Sequence, residues 1–136
     1  MLAARTDQAS VTAPLALVVY QDDEMSSTTT RALRAAGYRT FAIELAWCDT
    51  LSLEGLQPAV VVLDIRRALL TAAKTLVELS KRSSSPPVLL VTDRDEGEWV
   101  AARFRLMRLP WEAVDRDLAH AVERTRHLQL RPVPPG

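Results

Sequence analysis

The stretch Ala59-Val60-Val61-Val62-Leu63-Asp64 decides how the rest of the chain is read. Five apolar residues, rich in β-branched valine, make a strand buried on both faces. The carboxylate closing the run then stands at the C-terminal end of a buried strand, where open α/β sheets place their chemistry. Beyond it, Asp64-Ile65-Arg66-Arg67 leads into a helical pattern, so capping the next helix is the plainer role for Asp64. The flanking segments decide between the two.

Two further runs match the first. Leu15 to Tyr20 is an apolar strand followed by the polar loop Gln21 to Glu24, and Pro87 to Val91 is another, ending at Thr92-Asp93. Between these runs the apolar residues recur at helical spacing. Met25, Thr29, Ala32, Leu33 and Ala36 outline a first helix stopped by Gly37, and Tyr38 to Glu44 alternates as a second strand. Cys48 to Leu56 reads as a weak helix ended by Gln57-Pro58. Leu69, Leu70, Ala73, Leu76, Val77 and Ser80 form the helix after Asp64, which Ser83-Ser84-Ser85-Pro86 breaks. Glu96 to Arg105 is a short helix and Leu106 to Leu109 a scant fifth strand. Pro110 opens the last helix, with Trp111, Val114, Leu118, Ala121, Val122 and Thr125 in one stripe.

The order βαβαβαβαβα implies an α/β fold: a five-stranded parallel sheet covered on both faces by helices, joined by right-handed crossovers. The ends of strands one, three and four then meet on one rim, and Asp64 lies in a candidate site. Residues 14–128 form this domain, 1–13 a flexible N-terminal arm, and 129–136 a Pro-rich tail.

Composition narrows the function. Hydrophobic residues are 48 % and charged residues 25 %, as in an ordinary globular domain. Lys+Arg and Asp+Glu are both 17, so net charge gives no general affinity for nucleic acid or for an anionic membrane. The single cysteine, Cys48, excludes an intramolecular disulfide and a cysteine-cluster metal site, and reads as a small packed residue. With no apolar run long enough to span a bilayer and no signal-peptide core, the expected location is cytoplasmic.

A five-unit βα chain with Asp closing strand three and Thr closing strand four resembles the receiver domain of bacterial response regulators, a flavodoxin-like fold. The resemblance runs from about Leu15 to Leu128 and carries Leu17-Val18-Val19, Ala36-Gly37-Tyr38, Gln57-Pro58, Asp64, Pro87 to Thr92 and Leu109-Pro110-Trp111. It implies that Asp64 is the phosphoacceptor and Thr92 the switch residue that contacts the phosphoryl group. An acidic pair after strand one would hold Mg²⁺, and a lysine before the proline would pair with the phosphoryl group. Such chemistry brings anion towards anion and needs those positive charges.

Several of those positions are altered here. Tyr20 and Gln21 stand where the acidic pair falls, and Leu109 stands at the lysine. Ala68 and Ala72 replace the usual proline and glycine of the loop beyond Asp64, and Asp93 follows Thr92 where a small residue is common. The fourth unit, Thr92 to Leu109, is shortened. The displaced acids Asp22 and Asp23, with Asp64, are the candidate metal ligands if the site is active, against their simpler role as caps of the first helix. Arg108 would point to the sheet face opposite Leu109 and does not replace the lysine.

Trp99, Phe104, Arg108 and Trp111 form a candidate interaction face around the short fourth unit. His120 and His127 share a polar helix face without a third ligand. The arginines of the C-terminal third, including Arg103, Arg105, Arg124 and Arg126, read as solvated faces. The expected function is therefore that of a stand-alone, degenerate, non-enzymatic receiver, needing no cofactor and recognising a protein partner. A histidine kinase, another regulatory protein and a second copy of the chain are the partner classes open to it. The alternative is a working single-domain response regulator phosphorylated on Asp64 with Mg²⁺. A small-ligand domain of flavodoxin-like topology is disfavoured by the lack of a Gly-rich loop in a chain with four glycines.

Overall fold

Strand β1 (Leu15–Tyr20) lies inside the sheet because its side chains are apolar on both sides, and the four central ones are fully buried. The computed structural model describes residues 13–47, 55–67, 69–81, 86–93 and 98–129. The expected arm up to residue 12, the tail beyond Gln129, Cys48 and most of the weak helix expected from it lie outside the described residues.

Helix α1 (Asp23–Ala35) follows β1, with Asp22 in extended conformation as its N-cap. Its end is fixed by Gly37, whose φ of 97° is disfavoured for a residue carrying a Cβ. Gly37 N–H donates to the Arg34 carbonyl and Tyr38 N–H to the Leu33 carbonyl, the paired bonds of a Schellman turn. Tyr38 therefore belongs to this turn rather than to the second strand, and β2 starts one residue later than expected (Arg39–Glu44). A 3₁₀ turn, Leu45–Trp47, comes next.

The remaining elements are β3 (Val60–Asp64), α2 (Leu69–Ser80), β4 (Val88–Thr92), α3 (Glu98–Phe104), β5 (Met107–Pro110) and α4 (Val114–Gln129). All strand pairings are parallel, in the order β2-β1-β3-β4-β5. The fourth unit is short, its helix being seven residues long. The last helix departs from expectation. Pro110 closes β5 at ψ 145°, Trp111–Ala113 form a 3₁₀ turn, and α4 begins only at Val114. Trp111 is thereby turned out of the α4 stripe and towards the rim.

Strand alternation divides the core in two. Ala16, Val18, Val60, Val62, Leu89, Val91 and Leu109 pack under α1 and α4, against Met25, Leu33, Val114, Leu118 and Val122. Leu17, Val19, Val61, Leu63, Val88 and Leu90 pack on the other side, against Leu76 and Leu79 of α2 and Ala101 of α3. Among the described residues no helix is long and apolar enough to cross a membrane.

Candidate functional site

The order β2-β1-β3 reverses direction between β1 and β3, and in such sheets the crevice beyond those strand ends is the natural place for a site. Asp64 occupies it. Its side chain is completely buried at the end of β3, beside Val91 of β4 in register. Gln21, at the end of β1, donates its amide to the Asp64 carbonyl at 2.8 Å and so ties the two strand ends together.

A buried carboxylate needs a compensating charge, and Arg66 supplies it. The Asp64 Oδ1 accepts the Arg66 backbone N–H at 3.0 Å, an Asx turn that folds the loop back over the strand end. The same turn brings the Arg66 side chain onto the carboxylate. Its Nε donates to Oδ1 at 2.9 Å and its Nη2 to Oδ2 at 3.0 Å, a two-pronged pairing that suits a planar guanidinium. Nη2 also meets Asp22 Oδ2 at 2.7 Å. The Arg66 side chain is only 9 % exposed, and its Cζ lies 4.5 Å from the centre of the Trp111 ring, a cation–π distance. One guanidinium thus joins the ends of β1 and β3 to the turn after β5.

Asp22 divides its two oxygens between structure and charge. Oδ1 accepts the Met25 N–H at 2.8 Å, capping α1, while Oδ2 receives Arg66 and, at 3.2 Å, the exposed Arg67. Partial burial works to raise the Asp22 pKa, but the Met25 N–H and the two guanidiniums outweigh it and hold the carboxyl below its usual value. The Asp64 hydrogen bond acts first on Arg66, against the opposing effect of burial, and raises its pKa further. The arginine stays charged.

A depressed carboxyl pKa contributes stability above the unfolded value, near 3.8, and this is lost as pH falls through the folded value. Asp22→Asn keeps a good N-cap but removes the charge. Urea unfolding is expected to show the variant less stable than the parent at pH 7, with the difference closing as the pH is lowered below the ordinary Asp range. A difference that persists unchanged at low pH would show that Asp22 acts through its cap alone.

Known structures share this architecture. The BeF3-activated receiver domain of nitrogen regulatory protein C matches with a TM-score of 0.68 at 20 % identity, over 88 % of this chain and 98 % of that one. A LuxR-family DNA-binding response regulator from Staphylococcus aureus matches at 0.67 and 17 %, over 83 % and 98 %. A transiently phosphorylated switch in bacterial signal transduction matches at 0.57 and 25 %, over 88 % and 98 %. The chain has the receiver fold. No family model matches its sequence, and no curated protein does either.

Within the receiver frame, the structure brings Asp22 and Asp64 together but onto Arg66, while Asp23 is exposed in the first turn of α1. Among the described residues no group of three or more His, Cys, Asp or Glu side chains is placed to hold a metal. Tyr20, where a receiver carries an acid, packs against the α1/α4 side of the core, and so does the buried Leu109. Thr92 closes β4 as expected. Its Oγ1 is fully buried and finds no hydrogen-bond partner among the described residues.

The described residues of the expected interaction face lie on both sides of the sheet. Phe104 packs against the α2/α3 side of the sheet and Trp111 against the α1/α4 side. Arg108, half-buried, shares its register with Leu90 and so faces the Phe104 side, while the Trp99 side chain lies outside the described residues. Trp111 is a stacking partner for Arg66 rather than a bare docking anchor. His120 and His127 are both exposed on α4.

Arg66, at the centre of the site, is not among the candidate site residues that the sequence supplies. The one mark it leaves in the sequence is a basic residue two places after the strand-end acid.

Proposed function

We propose that this protein is a signalling module of the receiver fold in which a permanent guanidinium takes the place of the divalent cation, and which acts through protein contacts rather than phosphoryl transfer. The receiver fold itself is consistent with two-component signalling. The observation that carries the reading is the Arg66 guanidinium seated between Asp22 and Asp64.

The chemistry follows from the donors. Mg²⁺ requires near-octahedral oxygen ligands, and a guanidinium offers only N–H donors and does not deprotonate. Both Asp64 oxygens accept N–H donors of the Arg66 guanidinium, which draws negative charge from them and weakens them as nucleophiles towards phosphorus. Leu109 supplies no second cation to share the added charge. These residues do not fit Mg²⁺ without displacing Arg66.

Incubation with Mg²⁺ and beryllofluoride, or with acetyl phosphate, is expected to leave the amide spectrum and the intact mass unchanged. Stoichiometric modification that disappears in Asp64→Asn would overturn the proposal.

The Thr92 hydroxyl, without a hydrogen-bond partner among the described residues, favours a second reading. A buried hydroxyl without a partner costs about 1–3 kcal/mol, and a phosphoryl oxygen on Asp64 would satisfy it. In that reading Arg66 swings out, Asp22 and Asp23 hold Mg²⁺, and Asp22→Ala and Asp23→Ala each abolish metal binding.

A further inference from the structure

We infer that Arg66 is a coupling residue: its guanidinium joins the Asp64 carboxylate to the Trp111 ring, so that a change of charge at Asp64 is felt at the start of α4. The inference rests on the reading of Arg66 as the resident cation of the site.

Three observations support it. All the side-chain charge that meets Asp64 among the described residues comes from Arg66, through two separate N–H donors. The same planar group lies 4.5 Å from the Trp111 ring centre, so turning it to follow a changed carboxylate alters its stacking on that ring. Trp111 is held in a 3₁₀ turn, Trp111–Ala113, directly preceding α4, and it packs against the core cluster that contains Val114 and Leu118. Asp22 gives the guanidinium a second place to go, since Nη2 already meets its Oδ2 at 2.7 Å. The group thus has two anions to choose between and one aromatic face that registers the choice. No metal, threonine or lysine takes part in this route. By linkage, whatever seats against Trp111 acts back on the Asp64 pocket with the same free energy.

The indole N–H resonances of Trp47, Trp99 and Trp111 provide the test, with Trp111→Phe assigning the third. Asp64→Asn is expected to shift the Trp111 indole peak well beyond its line width in the otherwise native chain. The same substitution in an Arg66→Met background is expected to leave the peak where Arg66→Met alone puts it. If Arg66→Met does not fold, Arg66→Lys replaces it: the ammonium keeps the charge but lacks the planar stack, and less than half the Asp64→Asn shift should remain. An unmoved Trp111 peak in Asp64→Asn, or an undiminished shift in both Arg66 backgrounds, overturns the inference. Beryllofluoride uptake on Asp64 would overturn the preceding proposal alone, because this measurement involves no phosphoryl group.

Discussion

Arg66→Met is expected to destabilise the protein by about 3–5 kcal/mol, the range for removing one partner of a buried ion pair. The lost attraction is the smaller part of this. Asp64 is completely buried, and without the guanidinium its carboxylate keeps only the Arg66 backbone N–H among the bonds described. The carboxylate is left desolvated and nearly unpaired. Asp22 suffers less, because it is a quarter exposed and still caps α1 and meets Arg67. The expected readout is a lower urea midpoint with an unchanged slope, and a fall in Tm on the order of 10 °C.

The double variant Asp64→Leu with Arg66→Met separates this mechanism from simple loss of packing. Replacing both members of a buried pair by apolar groups of similar size is often neutral. The double variant is therefore expected to recover most of the stability that Arg66→Met loses. Equal losses in single and double variants would show that the stacking of the guanidinium on Trp111 matters more than its pairing with Asp64.

The fold was legible because its signals are local and repeated. Valine-rich runs at Leu15 to Tyr20, near Asp64 and before Thr92 identified the central strands. The Gly37 turn and the helical spacings set the units between them. The error at Pro110 is instructive. Proline fixes φ near −65° both at a strand end and at the first helical position, and only ψ, here 145°, tells the two apart. The sequence also could not show which sheet face Phe104 and Trp111 would take. Phe104 ends α3 and Trp111 opens the 3₁₀ turn after β5, and the direction of both is set by packing, not by the period of a strand. At the site, Tyr20, Gln21 and Leu109 are readable at the positions where the resemblance expects the acidic pair and the lysine. The pairing of Asp64 with Arg66 is not readable in this way, because it depends on the Asx turn between them. That turn takes in only Asp64, Ile65 and Arg66 and leaves no periodic trace.

If the site requires one cation near Asp64, from whichever strand, then Leu109→Lys is expected to be harmful in the native chain and helpful once Arg66 is gone. Asp64, Val91 and Leu109 lie abreast on β3, β4 and β5. Two strand spacings put Asp64 and Leu109 about 10 Å apart along the backbone, on one sheet face. A lysine stem and an aspartate side chain span that distance between them. In the native chain Leu109 is 7 % exposed, and Asp64 already has its counter-charge. Leu109→Lys there removes an apolar side chain from the core and adds an ammonium with no open anion, for a loss of about 3 kcal/mol or more. In the Arg66→Met background the same ammonium meets an unpaired carboxylate. The double-mutant cycle is expected to return a favourable coupling of about 2 kcal/mol, which would be absent if Leu109 and Arg66 served unrelated parts of the core. A cycle that closes without coupling would mean that the lysine cannot reach the β3 end in this protein.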